Sequence, residues 1–261
     1  MSEASLTAKG MCVSLGGRFV VDGVDFSAQA GAVSAIVGPN GSGKTSLLRA
    51  LAGLLPYSGS VRAGTLDLAQ ASAADRARQI AYLPQSSALR ALLSVREVVA
   101  LGRYASRPGW FAGMPNDDAH VAQALARTGI AELADHAYPK LSGGQQRLVL
   151  IARALATGAR ILLLDEPTAS LDVRHALRLF ELLGALARDG YCVVLVLHDL
   201  DDVQRHASHA LLLESGRGRA SGGASSPEFL DAAAQIYGVE LIPHDRLGFR
   251  SRAAQLSGDA S

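Results

Sequence analysis

The chain's 261 residues are enough for one large domain or two coupled ones, and a composition of 49% hydrophobic and 19% charged residues excludes a disordered protein. A formal net charge of +1, with no local cluster of basic residues, leaves no field to gather DNA or RNA, so no nucleic-acid partner is expected. Cys12 and Cys192 each lie in an apolar run that reads as a strand, which makes them buried thiols of a reducing compartment rather than a disulfide.

The first residues, MSEASLTAKGMCVSL, lack the charged start, apolar stretch and small-residue cleavage site of a signal peptide, so export is not expected. Residues 33–37 form a short apolar run, followed by a glycine-rich loop and then TSLLRALAGLL, whose leucines recur at helical spacing. This predicts strand, loop, helix. A short strand is predicted over 80–83, and three helix-like stretches follow over 95–101, 118–127 and 145–156. Buried strands are predicted over 161–164 and 192–197, with an amphipathic crossover helix over 174–188 between them, the alternation of a parallel sheet flanked by helices. The apolar runs at 161–164 and 191–197 fall far short of the roughly 20 residues that span a bilayer. Any membrane role is therefore peripheral. After Gly216 the chain is rich in Gly, Ser and Arg, regains a helix-like segment over 227–237 and ends in a polar stretch.

Three segments carry chemistry. Gly38-Pro39-Asn40-Gly41-Ser42-Gly43-Lys44-Thr45 matches the P-loop pattern in full, between a predicted strand and a predicted helix. Its glycines let successive N–H groups turn inward as an anion nest, and the following helix dipole adds to the field. Lys44 supplies a mobile charge to the outer phosphates of a nucleotide, and the Thr45 hydroxyl is placed to coordinate Mg²⁺. The second segment puts Asp165 and Glu166 at the end of a buried strand, where open α/β sheets keep their ligand sites. Asp165 suits a Mg²⁺ held through its water shell, and Glu166 suits a base for the attacking water. The third, Ser142-Gly143-Gly144-Gln145 after Leu141, opens a helix; alone it reads more readily as a serine-glycine cap than as a second anion site.

In this order GPNGSGKT, LSGGQ and LLLDEPTASLD resemble the Walker A, signature, and Walker B with D-loop elements of the ATP-binding cassette family, and the similarity covers nearly the whole chain. By the same resemblance Gln85 in AYLPQ matches the Q-loop glutamine, which also approaches the metal, Asp172 the D-loop aspartate, and His198 the switch histidine. The family implies an α/β, RecA-like P-loop NTPase with a parallel-sheet core, an N-terminal antiparallel β portion and an inserted helical subdomain. The chain then divides into a core over 1–85 and 159–225, a helical subdomain with the signature over 86–158, and a C-terminal tail over 226–261. It also implies ATP and Mg²⁺ as cofactors and a head-to-tail homodimer, each ATP lying between one chain's Walker A and the other chain's Ser142 to Gln145. Glu166, His198 and Gln85 are the catalytic candidates. One departure concerns the base: Leu15 stands about where the family stacks an aromatic residue on adenine, and Phe19 is the nearby substitute. The remaining histidines, His206 and His209 among them, are expected on solvated helix surface.

Residues 94–104, SVREVVALGRY, and the tail IYGVELIPH resemble ATPase subunits serving ferric-siderophore, haem and cobalamin permeases. That likeness implies a chain on the cytoplasmic face of the cell membrane, driving permease subunits fed by a solute-binding protein, with an iron-siderophore complex as the first expected cargo. Haem, cobalamin, or a soluble ATPase acting on a scaffold in iron-sulfur cluster assembly are the alternatives. The segments after Gln85 are where such a permease would dock.

Overall fold

A computed structural model describes residues 5–86, 92–104, 117–242 and 248–251. The chain opens with a hairpin of β1 (Leu6–Leu15) and β2 (Arg18–Ala28), joined by Gly16 and Gly17 at φ 58° and 78°. Two successive positive φ values make the tight turn that follows the natural twist of paired strands, and glycine adopts them without strain. Then come β3 (Val33–Val37), α1 (Lys44–Leu51), β4 (Ser58–Ala63), β5 (Leu66–Asp67), α2 (Ala73–Gln79) and β6 (Ile80–Leu83). Among the described residues three α-helices precede the next strand: α3 (Val95–Tyr104), α4 (Asp117–Thr128) and α5 (Gly143–Ala156). The chain returns through β7 (Ile161–Asp165), α6 (Val173–Arg188), β8 (Cys192–Val196), α7 (Leu200–His206), β9 (His209–Glu214) and β10 (Arg217–Gly223). It closes with α8 (Pro227–Tyr237) and a hairpin of β11 (Val239–Ile242) and β12 (Gly248–Ser251).

These strands make an antiparallel sheet in the order β2-β1-β4-β5 and a six-stranded sheet in the order β10-β9-β3-β8-β7-β6. In the larger sheet β9, β3, β8, β7 and β6 run parallel, and only β10 turns back as a hairpin on β9. The β7 and β8 strands are buried along their whole length because both faces of the sheet are covered. Alternate side chains divide between two cores. Ile36, Ile161, Leu163 and Val194 join α1 and the antiparallel sheet, whereas Ala35, Leu162, Leu164 and Val193 join helices α3 to α6 and α8. The α3 and α5 axes come so close that a side chain at Gly102 would meet the Arg153 carbonyl oxygen at 2.2 Å.

The α/β fold, with an antiparallel portion beside a parallel core, is as the sequence implied. Local expectations are corrected at four places. The helix after the phosphate loop ends at Leu51, short of the end of the leucine-rich run, because Gly53 takes φ 69°. Cys12 is only half-buried, its Sγ accepting the Gly23 amide at 3.2 Å, while Cys192 is fully buried and its thiol pushed up to about 12 by that burial. Both cysteines are free. His209 is exposed, but on a strand, and His206 is not solvated helix surface: its ring stacks on Phe180 at 4.0 Å between centroids. Among the described residues no helix is long and apolar enough to cross a membrane.

Candidate active site

Residues 38–45 join the end of β3 to the start of α1, at the carboxyl edge of the parallel strands. Two glycines there are required by space as well as by dihedral angle. A Cβ at Gly38 (φ 151°) would lie 2.1 Å from the Leu213 carbonyl oxygen, and one at Gly43 (φ 101°) 2.3 Å from that of Val20. The loop is thus clamped between β9 and β2, its backbone left bare for an anion. Lys44 is buried, and its Nζ donates to the carbonyls of Gly38 at 2.8 Å and Pro39 at 2.9 Å. Burial lowers its pKa, and the carboxylates of Glu166 and Asp165 act in the opposite sense.

Asp165 ends β7 and is 2% exposed. The Thr45 hydroxyl donates to its Oδ1 at 3.1 Å and the Tyr82 phenol to its Oδ2 at 3.3 Å. Burial raises its pKa, with Glu166 adding to the rise and the Thr45 and Tyr82 hydrogen bonds opposing it. The next residue, Glu166, holds φ at 44°, a region that costs a non-glycine residue roughly 1 kcal/mol or more. That turn aims its carboxylate away from Asp165's neighbours and into two donors: Gln85 Nε2 on Oε2 at 2.5 Å, and His198 Nε2 against Oε1. Glu166 is largely enclosed and His198 about half exposed.

The signature segment forms its own cap. Ser142 Oγ accepts the Gln145 amide at 3.3 Å, and Gln145 Oε1 accepts the Ser142 amide at 3.0 Å, a reciprocal capping box that opens α5. Asp172 caps α6 in turn, accepting the His175 amide at 2.9 Å with both carboxylate oxygens 2.8 Å from His175 Nδ1. The backbone hydrogen bond from His175 is the main reason its pKa is depressed.

The candidates therefore fall into two groups. Gly38 to Thr45, Asp165, Glu166, Gln85 and His198 lie together at the ends of β3, β6, β7 and β8, while Ser142 to Gln145 and Asp172 form a second, linked through His175, whose ring covers Gly144. Thr45 and Asp165 put two hard oxygens side by side, a donor set suited to Mg²⁺. Gln85 turns its amide nitrogen toward Glu166 rather than toward that pair. Leu15 and Phe19 are 44% and 66% exposed at the turn end of the β1–β2 hairpin.

Sequence reasoning overlooked Arg147. It is 8% exposed, and its guanidinium donates to the carbonyls of Pro167, Pro84, Gln85 and Asp165, tying α5 to both strand ends of the site. The available signal was a lone arginine before an otherwise apolar LVLIA run. Tyr82 and Arg49 were also missed, since a tyrosine in a strand and an arginine on a helix carry no motif.

A bare phosphate cradle at the carboxyl edge of a parallel sheet, with a strand-end carboxylate pair beside it, defines a P-loop ATPase. The family model for the ABC transporter matches residues 21–169, and the chain belongs to that family. It is 44% identical over 252 residues to the hemin import ATP-binding protein HmuV of Streptomyces coelicolor, covering 94% of this chain and 88% of that one. It is 41% identical over 215 residues to the cobalamin import ATP-binding protein BtuD of Halobacterium salinarum, covering 82% of this chain and 54% of that one. Among solved structures, the dimeric post-hydrolysis state of the cassette MJ0796 bound to ADP and Pi superposes with a TM-score of 0.73 at 26% identity, covering 85% of this chain and 99% of that one. The chain is the ATPase of an ABC importer, a class of ATP-binding cassette that forms dimers and works with a membrane permease.

Proposed function

We propose that this subunit powers haem uptake, hydrolysing Mg-ATP as a head-to-tail dimer held peripherally on the cytoplasmic face of the cell membrane. The observation that carries the cargo is the 44% identity, across 94% of the chain, to a protein named for hemin import. Within the site, the inward N–H groups of residues 38–45 bind the phosphates, and Lys44 swings from the carbonyls of Gly38 and Pro39 to the outer phosphate. Thr45 and Asp165, with Gln85 nearby, would hold Mg²⁺, which would supply neutralisation of charge on the transferred phosphoryl group. Glu166 takes the proton of the attacking water, and Gln85 and His198 keep its two oxygens aimed. His198 then donates toward the γ-phosphate oxygens. Ser142 to Gln145 and Asp172 complete the partner chain's nucleotide site, with the open backbone at Gly143 facing the phosphates.

The permease docks on the groove between the edge strand β6 and helices α2, α3 and α5. This cavity of about 270 Å³ is lined by Ala77, Tyr82, Leu101, Leu150 and Arg153, with Leu101 and Tyr104 exposed beside it. The segment just after Gln85, where docking was also expected, lies outside the described residues.

A ferric-siderophore cargo is the second reading, since the segments 94–104 and 235–244 resemble ATPases of all three cargo groups, and cobalamin the third, favoured by the 41% identity to a cobalamin import protein. Uptake of labelled haem, ferric siderophore and cobalamin in a strain lacking the gene separates them. Loss of haem uptake alone, restored by the wild-type copy and not by Glu166→Gln, is the expected result. Normal haem uptake with loss of either other cargo moves the assignment to that cargo, and normal uptake of all three leaves the importer without any of them.

A further inference from the structure

Asp165 is held by more than the Thr45 hydroxyl. On the edge strand β6 the ring of Tyr82 packs, half-buried, against the core shared by α1 and the antiparallel sheet, and its phenol reaches the second carboxylate oxygen of Asp165 at 3.3 Å. Behind the phenol stands Arg49 of α1, whose Nε donates to the Tyr82 oxygen at 3.3 Å. The hydrogen bonds therefore run one way, from guanidinium to phenol to carboxylate, and each oxygen of Asp165 has its own donor.

This order has a physical consequence. A hydroxyl that gives its lone pair to a cation keeps its O–H for a carboxylate, so Thr45 serves the cation and only one oxygen of Asp165. The other oxygen answers to Tyr82, which has no such second duty. The guanidinium behind it polarises the O–H bond and strengthens that donation. Direct contact of Arg49 with Asp165 would place a full positive charge where a divalent cation must bind; the phenol between them passes on the polarisation without the charge. Were Tyr82 only a filler of its part of the core, a phenylalanine would serve as well and would carry no buried hydroxyl to satisfy.

We propose that Tyr82, backed by Arg49, is a positioning residue that orients Asp165 for the divalent cation accompanying ATP. It rests on the reading of Asp165 as a holder of that cation. The test uses the purified full chain with a non-hydrolysable ATP analogue and Mn²⁺ as the probe, bound metal being read by electron paramagnetic resonance. Tyr82→Phe should weaken Mn²⁺ binding about 10-fold or more, the effect of one lost hydrogen bond to a charged group, and raise the Mg²⁺ needed for half-maximal hydrolysis by a similar factor. Analogue affinity in EDTA should stay at the wild-type value. Arg49→Met should move Mn²⁺ binding less in the same direction, and the double variant no further than Tyr82→Phe, since Arg49 acts through the phenol. Wild-type Mn²⁺ binding by Tyr82→Phe overturns the proposal, as does equal weakening of the analogue with and without metal. Asp165→Asn is the control: if it too keeps wild-type Mn²⁺ binding, the cation-site reading itself falls, and the proposal with it.

Discussion

The imidazole of His175 lies directly over the backbone of Gly144, so close that a methyl group on Gly144 would meet its Cδ2 at 2.4 Å and its Cγ at 2.7 Å. The ring cannot swing clear without releasing Asp172, which holds Nδ1 with both carboxylate oxygens at 2.8 Å. Gly144 is thus a glycine for steric reasons, in ordinary helix. Gly144→Ala should destabilise the fold by about 1 to 3 kcal/mol through overpacking, and His175→Ala in the same chain should recover most of that loss. Urea midpoints of the two single variants and the double variant check this. A double variant no more stable than Gly144→Ala would place the cost elsewhere.

Arg147 offers a second stability test, because among the described residues no carboxylate pairs with it and it answers instead to four carbonyls from two stretches of chain. Arg147→Met keeps the volume and strands those buried acceptors, so a loss of about 3 kcal/mol or more is expected in urea denaturation. Arg147→Lys should recover only a part, since one ammonium does not span the fork. Gln85 loses its backbone tether at the same time, so hydrolysis in the lysine variant should fall further than its stability.

These two residues show where the sequence was legible and where it was not. The strands at 33–37, 80–83 and 161–165 stand out because burial on both faces demands unbroken apolar runs, and the phosphate loop because its glycines answer to backbone geometry. Both are local requirements. Arg147 and Tyr82 act on partners 18 to 83 positions away, through contacts that no spacing rule encodes. His206 was misread for the same reason, since Phe180 comes to it from another helix.

Burial beside Phe180 holds the His206 pKa below the ordinary histidine value, with Asp202 acting to raise it and Arg205 to lower it further. As pH falls from about 6.5, the unfolded chain takes up its proton first, so the folded state loses stability on the acid side and keeps it above that value. Thermal midpoints measured from pH 7.5 down to 5.5 should therefore drop less steeply for His206→Phe than for the wild type. Equal slopes would show that the ring titrates alike in both states.

Glu166 is gripped on both oxygens, by Gln85 and by His198, and this predicts a clean separation of binding from chemistry. Glu166→Gln should slow single-turnover hydrolysis by about 10² to 10⁴-fold, the usual worth of a positioned general base, while ATP still binds. With Mg-ATP the variant should accumulate as a dimer in light scattering. A monomer at saturating Mg-ATP would count against a site shared between two chains.

The adenine contact is decided at the turn end of the first hairpin, where Leu15 and Phe19 are both exposed and only Phe19 carries a ring. Phe19 adjoins Val20, whose carbonyl oxygen lies 2.3 Å from where a side chain on Gly43 would start, so this strand passes against the phosphate loop itself. A base leaving the cradle toward the hairpin meets Phe19 or Leu15 within one strand pair, since Ser14 faces Phe19 and Leu15 faces Arg18. Phe19→Ala should weaken ATP binding by about 1 kcal/mol if the ring stacks on adenine, whereas Leu15→Ala should change it much less. Leu15→Tyr offers a second ring one residue pair away, and in the Phe19→Ala background it should restore binding. Titrations with ATP and with triphosphate alone distinguish the cases: a deficit present for triphosphate as well would mean that the hairpin supports the loop rather than the base.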